Sequence, residues 1–390
     1  DTLKTMGRKS NVAKKFLKLA VVIICLTGFL LQTLEFLFLY WTYPTVVDIQ
    51  VSVPSDIEMP GISLCSHNGF KPDVVCKLRG WCTMPRMFNF IDLCAPFPIV
   101  CGSHGKPPED FRAVSVHGFM SQNDLNQTVL DMLRIPLKDF FKCKITSGAQ
   151  KRDCDMDNVI YGSYYSDSKI LNFCFTLNSL WSDPTRKIQK IKKSEKIEME
   201  FYMDISNRDT DAPPDLPQRP KYNYPGSPAV QLAIHSPYLT VNPFVSGQGF
   251  LAGKRYQIKV KQDEKHLLPP PYQTNCTDYM PLWLARGGVG PLNQIMVIEE
   301  CKLNATIEEM GCVPFSVDYP HNETVCRYAE TYPNMSRIGE ICTELLQYYN
   351  QPCDFITYDM QIEEKLVYVE KVLESRMMRV KESLTFKEKG

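Results

Sequence analysis

Residues 19–40 read LAVVIICLTGFLLQTLEFLFLY, an almost wholly apolar stretch near the start of a 390-residue chain. About twenty apolar residues are enough for an α-helix to cross the hydrocarbon core of a bilayer. A secretory signal peptide is the competing interpretation, but the stretch is too long for one and no small-residue cleavage site follows it. The stretch therefore predicts a membrane-spanning helix.

The two flanks of this stretch predict its orientation. The residues before it are basic, with Asp1 the only acid among them: Lys4, Arg8, Lys9, Lys14, Lys15 and Lys18. The residues at its far end form an aromatic cluster typical of a membrane–water interface: Phe36, Phe38, Tyr40, Trp41 and Tyr43. Because basic residues are retained on the cytoplasmic side, we expect a cytoplasmic N-terminus and an extracellular chain after Tyr43.

Glycosylation signals and cysteines agree with that orientation. Five sequons follow the predicted helix, at Asn126, Asn275, Asn304, Asn322 and Asn334. Of the 15 cysteines, Cys25 lies in the apolar stretch and the other 14 lie outside it. An even number of cysteines in an oxidising compartment predicts a disulfide framework. Zinc is the rival use of cysteine, but the chain has no C-x-x-C pair and its six histidines are scattered.

The rest of the chain predicts a β-rich domain with helical segments. Apolar residues alternate with polar ones, as in strands, at 45–53, 198–205, 230–235, 255–260 and 355–360. Apolar residues have helical spacing at 125–141, 304–310 and 337–349. The segment 209–228 is rich in proline and is predicted to be a loop. Because 44 basic residues balance 44 acidic ones, no overall field points to nucleic acid.

Two other classes of protein fit a single-span, glycosylated chain. Golgi glycosyltransferases share this plan and hold a metal–nucleotide with a D-x-D triplet, which occurs at 155–157 and 209–211. Neither triplet has a nucleotide-binding context, and the sequence lacks H-E-x-x-H, G-x-S-x-G and a glycine-rich phosphate loop, so we predict no enzyme activity and no cofactor. A disulfide-rich receptor or adhesion ectodomain is the other class, and composition alone leaves it open.

Ordered motifs run from the apolar stretch to residue 353. They are YWTYP (40–44), MPGISLCSHN (59–68), FCFTLN (173–178), LAIH (232–235), LPPPYQTNC (268–276) and QPC (351–353). Together they resemble the motifs of the degenerin/epithelial sodium channel family, which includes the acid-sensing channels. The chain departs from the family pattern in places. Met59 replaces a Phe, Ser66 replaces an Asn, the family's C-x-C-x-x-P-C is reduced to QPC, and its first thumb cysteine is replaced.

The resemblance implies an α+β fold: one N-terminal transmembrane helix, then a β-rich, disulfide-stapled ectodomain with helical finger and thumb regions. It divides the chain into a cytoplasmic N-terminus (1–18), transmembrane helix (19–41), first palm strands (42–75), finger region with a cysteine-rich insertion (76–142), β-ball and palm strands with the proline-rich loop (143–275), thumb-like disulfide region (276–353), and returning palm strand with a charged tail (354–390).

The resemblance also implies disulfide pairs. The pairs it implies by position are Cys65–Cys174, Cys143–Cys154, Cys276–Cys353 and Cys312–Cys326. Cys301 and Cys342 remain in the thumb region, and we pair them with each other as a hypothesis. Four cysteines have no counterpart in the family and are expected to form two local bridges in the finger region: Cys76, Cys82, Cys94 and Cys101.

Three further features are candidates for function. Glu35, in the predicted helix, either faces the helix bundle and pore vestibule or extends to the headgroups. Tyr43 and Tyr272 match family positions where the top of the first helix meets the base of the thumb and couples ectodomain motion to the pore; the alternative is that Tyr43 is only an interfacial aromatic. The basic run at 186–196 is a protease site, a contact for anionic partners, or solvated surface.

The function implied by the resemblance is that of a subunit of a trimeric, amiloride-sensitive sodium channel in the plasma membrane, multi-pass when intact and gated through its ectodomain. Its partners would be sodium ions, the membrane and identical or related subunits. The family's pore-lining second helix is absent here, because residues 364–389 are too charged to span a bilayer. We therefore expect a sequence cut before that helix, unable to form a pore alone. A cell-surface receptor or a regulatory, non-conducting subunit is the alternative.

Overall fold

The computed structural model describes residues 2–66, 74, 124–157, 159–165, 171–204, 229–251, 254–327, 332, 334–365 and 377–386. The α-helices in these ranges are α1 (Thr2–Trp41), α2 (Gln127–Leu133), α3 (Leu137–Phe140), α4 (Pro243–Ser246), α5 (Met280–Ala285), α6 (Gln294–Met310) and α7 (Met335–Glu344). The strands are β1 (Asp56–Glu58), β2 (Gly61–Ser66), β3 (Phe141–Ser147), β4 (Gln150–Asp153), β5 (Ile160–Tyr165), β6 (Leu171–Leu177), β7 (Lys190–Lys192), β8 (Lys196–Asp204), β9 (Ala229–His235), β10 (Gln248–Leu251), β11 (Arg255–His266), β12 (Asp354–Lys365) and β13 (Met377–Phe386). The proline-rich segment and most of the expected finger region lie outside the described residues, as do Cys76, Cys82, Cys94 and Cys101.

The helix α1 confirms the predicted N-terminal apolar helix. At about 1.5 Å per residue its 40 residues extend roughly 60 Å. The part from Lys15 to Trp41 is long and apolar enough to cross a membrane, and the rest of the chain buries none of its most apolar window. Thr27 and Thr33 satisfy their hydroxyls inside the helix, by donating to the carbonyls of Ile23 and Phe29 at 2.8 Å. These two threonines therefore add little polarity to the surface of the helix.

The strands form three sheets. A six-stranded sheet has the order β12-β11-β13-β8-β3-β4, a five-stranded sheet has the order β10-β9-β2-β6-β5, and β1 pairs with β7. The alternation predicted at 198–205 is confirmed by β8, in which Ile197, Met199 and Phe201 are buried on one face. Together with Ile62 and Phe175 of the five-stranded sheet, these residues belong to one core. The predicted strands at 230–235, 255–260 and 355–360 are confirmed by β9, β11 and β12.

One expectation about strands is wrong, and one strand was not expected. The segment 45–53 is not a strand, and Val47, Ile49 and Val51 are 82–84% exposed. A strand needs a neighbour to accept its backbone hydrogen bonds, and within the described residues pairing begins only at Asp56, with β7. Conversely, the charged tail contains β13, which lies between β11 and β8. Partners on both edges favour an extended backbone there despite the charged composition.

The helical predictions are largely confirmed. α6 and α7 cover the predicted helices at 304–310 and 337–349, the latter continuing in a 3₁₀ turn at Leu345–Gln347. The helix predicted at 125–141 is divided at Pro136, because proline lacks the amide hydrogen that an uninterrupted helix requires. α2 begins at Asn126, whose side chain accepts a hydrogen bond of 3.0 Å from the amide of Val129.

Candidate functional site

One ring contact joins the end of α1 to the strand-rich part of the chain. After the helix ends at Trp41, a turn brings Tyr43 to a positive φ of 46°, a conformation uncommon for a residue other than glycine. Its ring meets that of Tyr272 edge to face, with centroids 5.6 Å apart and planes at 74°. We call this pair the coupling contact. The sequence placed both residues as a candidate pair, and the structure brings them together.

The loop that carries Tyr272 is tied to the chain around it. At its start, the amide of Leu267 donates to the carbonyl of Cys353 at 2.7 Å. Within it, the hydroxyl of Thr274 donates to the carbonyl of Leu268 at 2.6 Å. At its end, the Cys276–Cys353 disulfide closes the loop. Tyr272 is therefore held by a short, cross-linked segment.

This loop also connects three parts of the structure. It follows β11, the strand that pairs along its whole length with β12. It precedes α5, after which the chain enters α6 and its disulfide to α7. Through Tyr272 it contacts the residue that follows α1. The loop thus lies between the sheet, the helices and the end of α1.

A second set of polar residues lies deep in the five-stranded sheet. The hydroxyl of Ser63 lies 2.7 Å from the hydroxyl of Thr176 and 2.8 Å from Nε2 of His235. Nδ1 of His235 lies 2.8 Å from the carbonyl of Ser236. A neutral imidazole satisfies this chain, since its Nδ1–H donates to that carbonyl and its Nε2 accepts from Ser63. We call Ser63, Thr176 and His235 the buried polar cluster.

Burial decides what this cluster can do. All three residues are at most 7% exposed, and removal from water lowers the pKa of His235 to about 4. The serine and histidine are at the distance of a nucleophile and its base, yet no substrate can reach a serine that is 0% exposed. The cluster therefore fastens β2 to its neighbours and performs no acyl transfer.

Two motif residues complete this fastening. Asn178 has a positive φ of 53°, and its side-chain amide donates to the carbonyls of Met59 and Pro60. Gly61 lies against the imidazole, because a Cβ at that position would be 2.7 Å from Cε1 of His235. The described part of the first motif (59–66) thus meets the motifs at 173–178 and 232–235 in one place, where β2 pairs with β6 and β9.

The structure also brings together the cysteines that the sequence pairs in its described part. These pairs are Cys65–Cys174, Cys143–Cys154, Cys276–Cys353, Cys301–Cys342 and Cys312–Cys326, with Cα–Cα distances of 4.2–5.6 Å. The first pair lies beside the buried polar cluster and joins β2 to β6. Cys25 is a free, exposed thiol on α1.

A comparison with protein families decides the class. The family model described as amiloride-sensitive sodium channel matches residues 3–388. The chain belongs to this family. No curated protein sequence matches the chain. Amiloride-sensitive sodium channels are ion channels rather than enzymes, so the chain is a channel subunit embedded in a membrane, with sodium as the ion conducted.

The remaining predicted residues of this sodium channel subunit lie on its surface. Glu35 is exposed on α1, and the described part of the chain offers it no ion pair. All five sequon asparagines are exposed, as attachment of a glycan requires: Asn126, Asn275, Asn304, Asn322 and Asn334.

Sequence reasoning missed a small cavity in this channel subunit. About 250 Å³ in volume, it lies between the β5–β6 hairpin and the segment after Gly311, and Tyr164, Asn242 and Asp318 are among its lining residues. Asp318 is exposed as a residue, but partial loss of water around its carboxyl raises the pKa to about 6. The Glu299 carboxylate adds to this effect, and a hydrogen bond with Asn242 opposes it. No signal in the sequence pointed to Asp318, because a shifted pKa depends on neighbours that only the fold supplies.

Proposed function

We propose that the chain is a subunit of a trimeric sodium channel of the plasma membrane, gated through its ectodomain. Its N-terminus is cytoplasmic, and the strand-rich part after α1 is extracellular. The coupling contact between Tyr43 and Tyr272 carries this proposal, because it links the membrane helix to the part of the chain where a stimulus would act.

Charge and surface chemistry support this orientation. The basic residues precede the apolar part of α1, and the exposed sequons and the five disulfides follow it. Basic residues favour the cytoplasmic side, whereas glycans and disulfides belong to the extracellular side. In this topology the residues 276–353 act as the thumb and the palm is built around the six-stranded sheet.

Assembly into a trimer gives a role to Glu35, the acidic residue in the apolar part of α1. An ionised carboxylate facing lipid costs up to about 3 kcal/mol at the centre of a span. In a trimer, Glu35 turns toward neighbouring helices or the outer vestibule of the pore, where water or a partner lowers that cost. The same helix faces lipid with its apolar residues.

Gating follows from the way Tyr272 is held. Because hydrogen bonds and the Cys276–Cys353 disulfide tie its loop to the sheet and the thumb, a stimulus that moves either one moves Tyr272. The ring contact transmits the movement to Tyr43 and so to α1. An aromatic pair contributes about 0.5–1.5 kcal/mol, enough to change the ratio of open to closed channels by about two- to tenfold.

Electrical recording tests the proposal. The subunit is expressed in oocytes, alone and with related subunits, and amiloride-blocked sodium current is measured. We expect Tyr43→Ala and Tyr272→Ala to change the fraction of open channels, and Tyr43→Phe, which keeps the ring, to leave it unchanged. Surface-labelled protein without sodium current in every combination would contradict the proposal and favour a receptor or regulatory subunit.

A further inference from the structure

A basic ribbon on the strand-rich part has no role in the channel mechanism. It consists of five exposed lysines on and around β7: Lys187, Lys190, Lys192, Lys193 and Lys196. We propose that this ribbon binds a linear sulfated polysaccharide outside the cell. The inference rests on the proposed function for its topology, since such polysaccharides occur on the extracellular side.

The strand pairing directs the lysines outward. β7 pairs with β1 so that Ile191 lies opposite Ile57, and Ile191 is only 1% exposed. Successive residues of a strand point to opposite faces, so Lys190 and Lys192 both point away from the core. Residues two apart on a strand are separated by about 7 Å, so the two side chains leave the backbone about that far apart on one face.

The backbone beneath the ribbon is fixed at both ends. Before β7, the amide of Met59 donates to the carbonyl of Gln189 at 2.8 Å. After it, a turn is closed by the amide of Glu195, which donates to the carbonyl of Lys192 at 2.8 Å, while the Glu195 carboxylate accepts from the amide of Lys192 at 2.9 Å. The backbone that carries the lysines therefore keeps its shape, which reduces the backbone entropy lost when a ligand binds.

Two of the nearby acidic residues form ion pairs with basic residues outside the ribbon. Glu195 pairs with Arg152 at 3.1 Å, and Glu198 pairs with Lys151 at 3.6 Å. Asp56 and Glu58, in β1, lie directly across from Lys192 and Lys190 and offset part of their charge. The five lysines form no ion pair within the described residues, so the ribbon keeps a net positive charge.

The geometry favours a linear polyanion over two other occupants. A protein partner is normally anchored by apolar or aromatic side chains in a pocket, but the isoleucine of β7 is turned into the core. A trypsin-like protease needs an extended segment, whereas Lys192–Glu195 forms a hydrogen-bonded turn. Sulfates spaced along a chain match ammonium groups spaced along a strand, and such binding weakens as salt rises.

The test uses the full chain in detergent micelles, applied to immobilised heparin and eluted with a salt gradient. The ribbon variant changes all five lysines to glutamine: K187Q, K190Q, K192Q, K193Q and K196Q. The control removes the same number of charges from exposed lysines elsewhere, of which Lys261 and Lys365 are ion-paired with Asp263 and Glu363: K138Q, K144Q, K261Q, K265Q and K365Q. We expect the ribbon variant to bind heparin about tenfold or more weakly, and the control to bind like the unchanged protein.

Three results would overturn the inference. The first is failure of the unchanged protein to bind heparin at about 0.15 M salt, and the second is an equal loss of heparin binding in both variants. The third is ribbon-dependent binding to phosphatidylserine vesicles as strong as that to heparin, which would mean that the ribbon recognises negative charge of any kind. Both variants are first compared in thermal unfolding, so that a folding defect is detected. The test is separate from that of the channel, because heparin binding needs no sodium current and an absent current leaves the binding result intact.

Discussion

The buried polar cluster and the coupling contact are both built from the family's motifs, yet they are constructed in opposite ways. The cluster fastens β2 by hydrogen bonds among Ser63, Thr176 and His235, beside the disulfide from Cys65 to Cys174. The coupling contact depends on one ring pair at a residue with positive φ. Regions with few buried contacts open at low free-energy cost, whereas a saturated core does not. From this difference we predict that the buried polar cluster contributes much more to stability than the coupling contact does.

Removing the disulfide that closes the Tyr272 loop should have the largest effect on the free energy of unfolding. Cys276 and Cys353 are 77 residues apart, and a cross-link over a loop of this length contributes about 4 kcal/mol. We expect the Cys276→Ser, Cys353→Ser double variant to lose about that much free energy of unfolding, measured by denaturant titration in micelles. Replacing Cys25 by serine is the control, because that thiol is free. An equal loss in both proteins would contradict the importance of this bridge.

Truncating the imidazole of the cluster should come next. His235→Ala leaves the hydroxyl of Ser63 with one partner fewer and opens a cavity in the sheet. Such changes together cost about 3 kcal/mol. Tyr43→Ala, at the coupling contact, should cost only about 1 kcal/mol in the same titration. If the two variants were equally stable, the contrast between the buried polar cluster and the coupling contact would be wrong.

Lowering the pH should also distinguish the buried polar cluster from the coupling contact. His235 has a pKa of about 4 in the folded chain and about 6.5 when unfolded, so the unfolded state binds more protons between these values. Its stabilising contribution is complete above pH 6.5 and is lost as the pH falls toward 4. We expect the melting temperature to fall in this window, and to fall less in His235→Gln, which cannot titrate.

Asp318 should have the opposite effect to His235 on the pH dependence of stability. Its pKa is raised from 3.8 to about 6, so the folded state binds the proton more tightly and stability declines as the pH rises through this range. Asp318→Asn should therefore steepen the loss of stability in acid. An unchanged or flatter profile in that variant would show that the pKa of the Asp318 carboxyl is not raised in the folded chain.

The features that could be predicted from sequence are those encoded locally. α1 follows from one apolar stretch, and β8 follows from the alternation that buries Met199 and Phe201. The cluster was missed because Ser63 and Thr176 are 113 residues apart, and nothing local shows that their hydroxyls meet. The segment 45–53 was assigned wrongly for the same reason, since alternation does not supply a partner strand. The motif of Tyr272 identified a contact because a family pattern already encodes a long-range neighbour.

The measurement with the smallest expected effect is also the most direct test of the coupling contact. The single variants Tyr43→Ala and Tyr272→Ala and their combination form a double-mutant cycle, in which the free energy of unfolding is measured for each protein in micelles. The rings lie edge to face at 5.6 Å, so we expect a coupling energy of about 1 kcal/mol, because the second alanine has no ring left to lose.

Two related cycles make this result specific. Tyr43→Phe and Tyr272→Phe keep both rings and should show no coupling, since the contact is between ring edges and faces rather than hydroxyls. Tyr279 and Tyr349 are stacked at 6.1 Å away from α1, and their alanine cycle should show a coupling of similar size. Only the first cycle should also change the fraction of open channels. Coupling in stability without any change in opening would mean that the ring pair holds α1 in place but does not transmit movement to it.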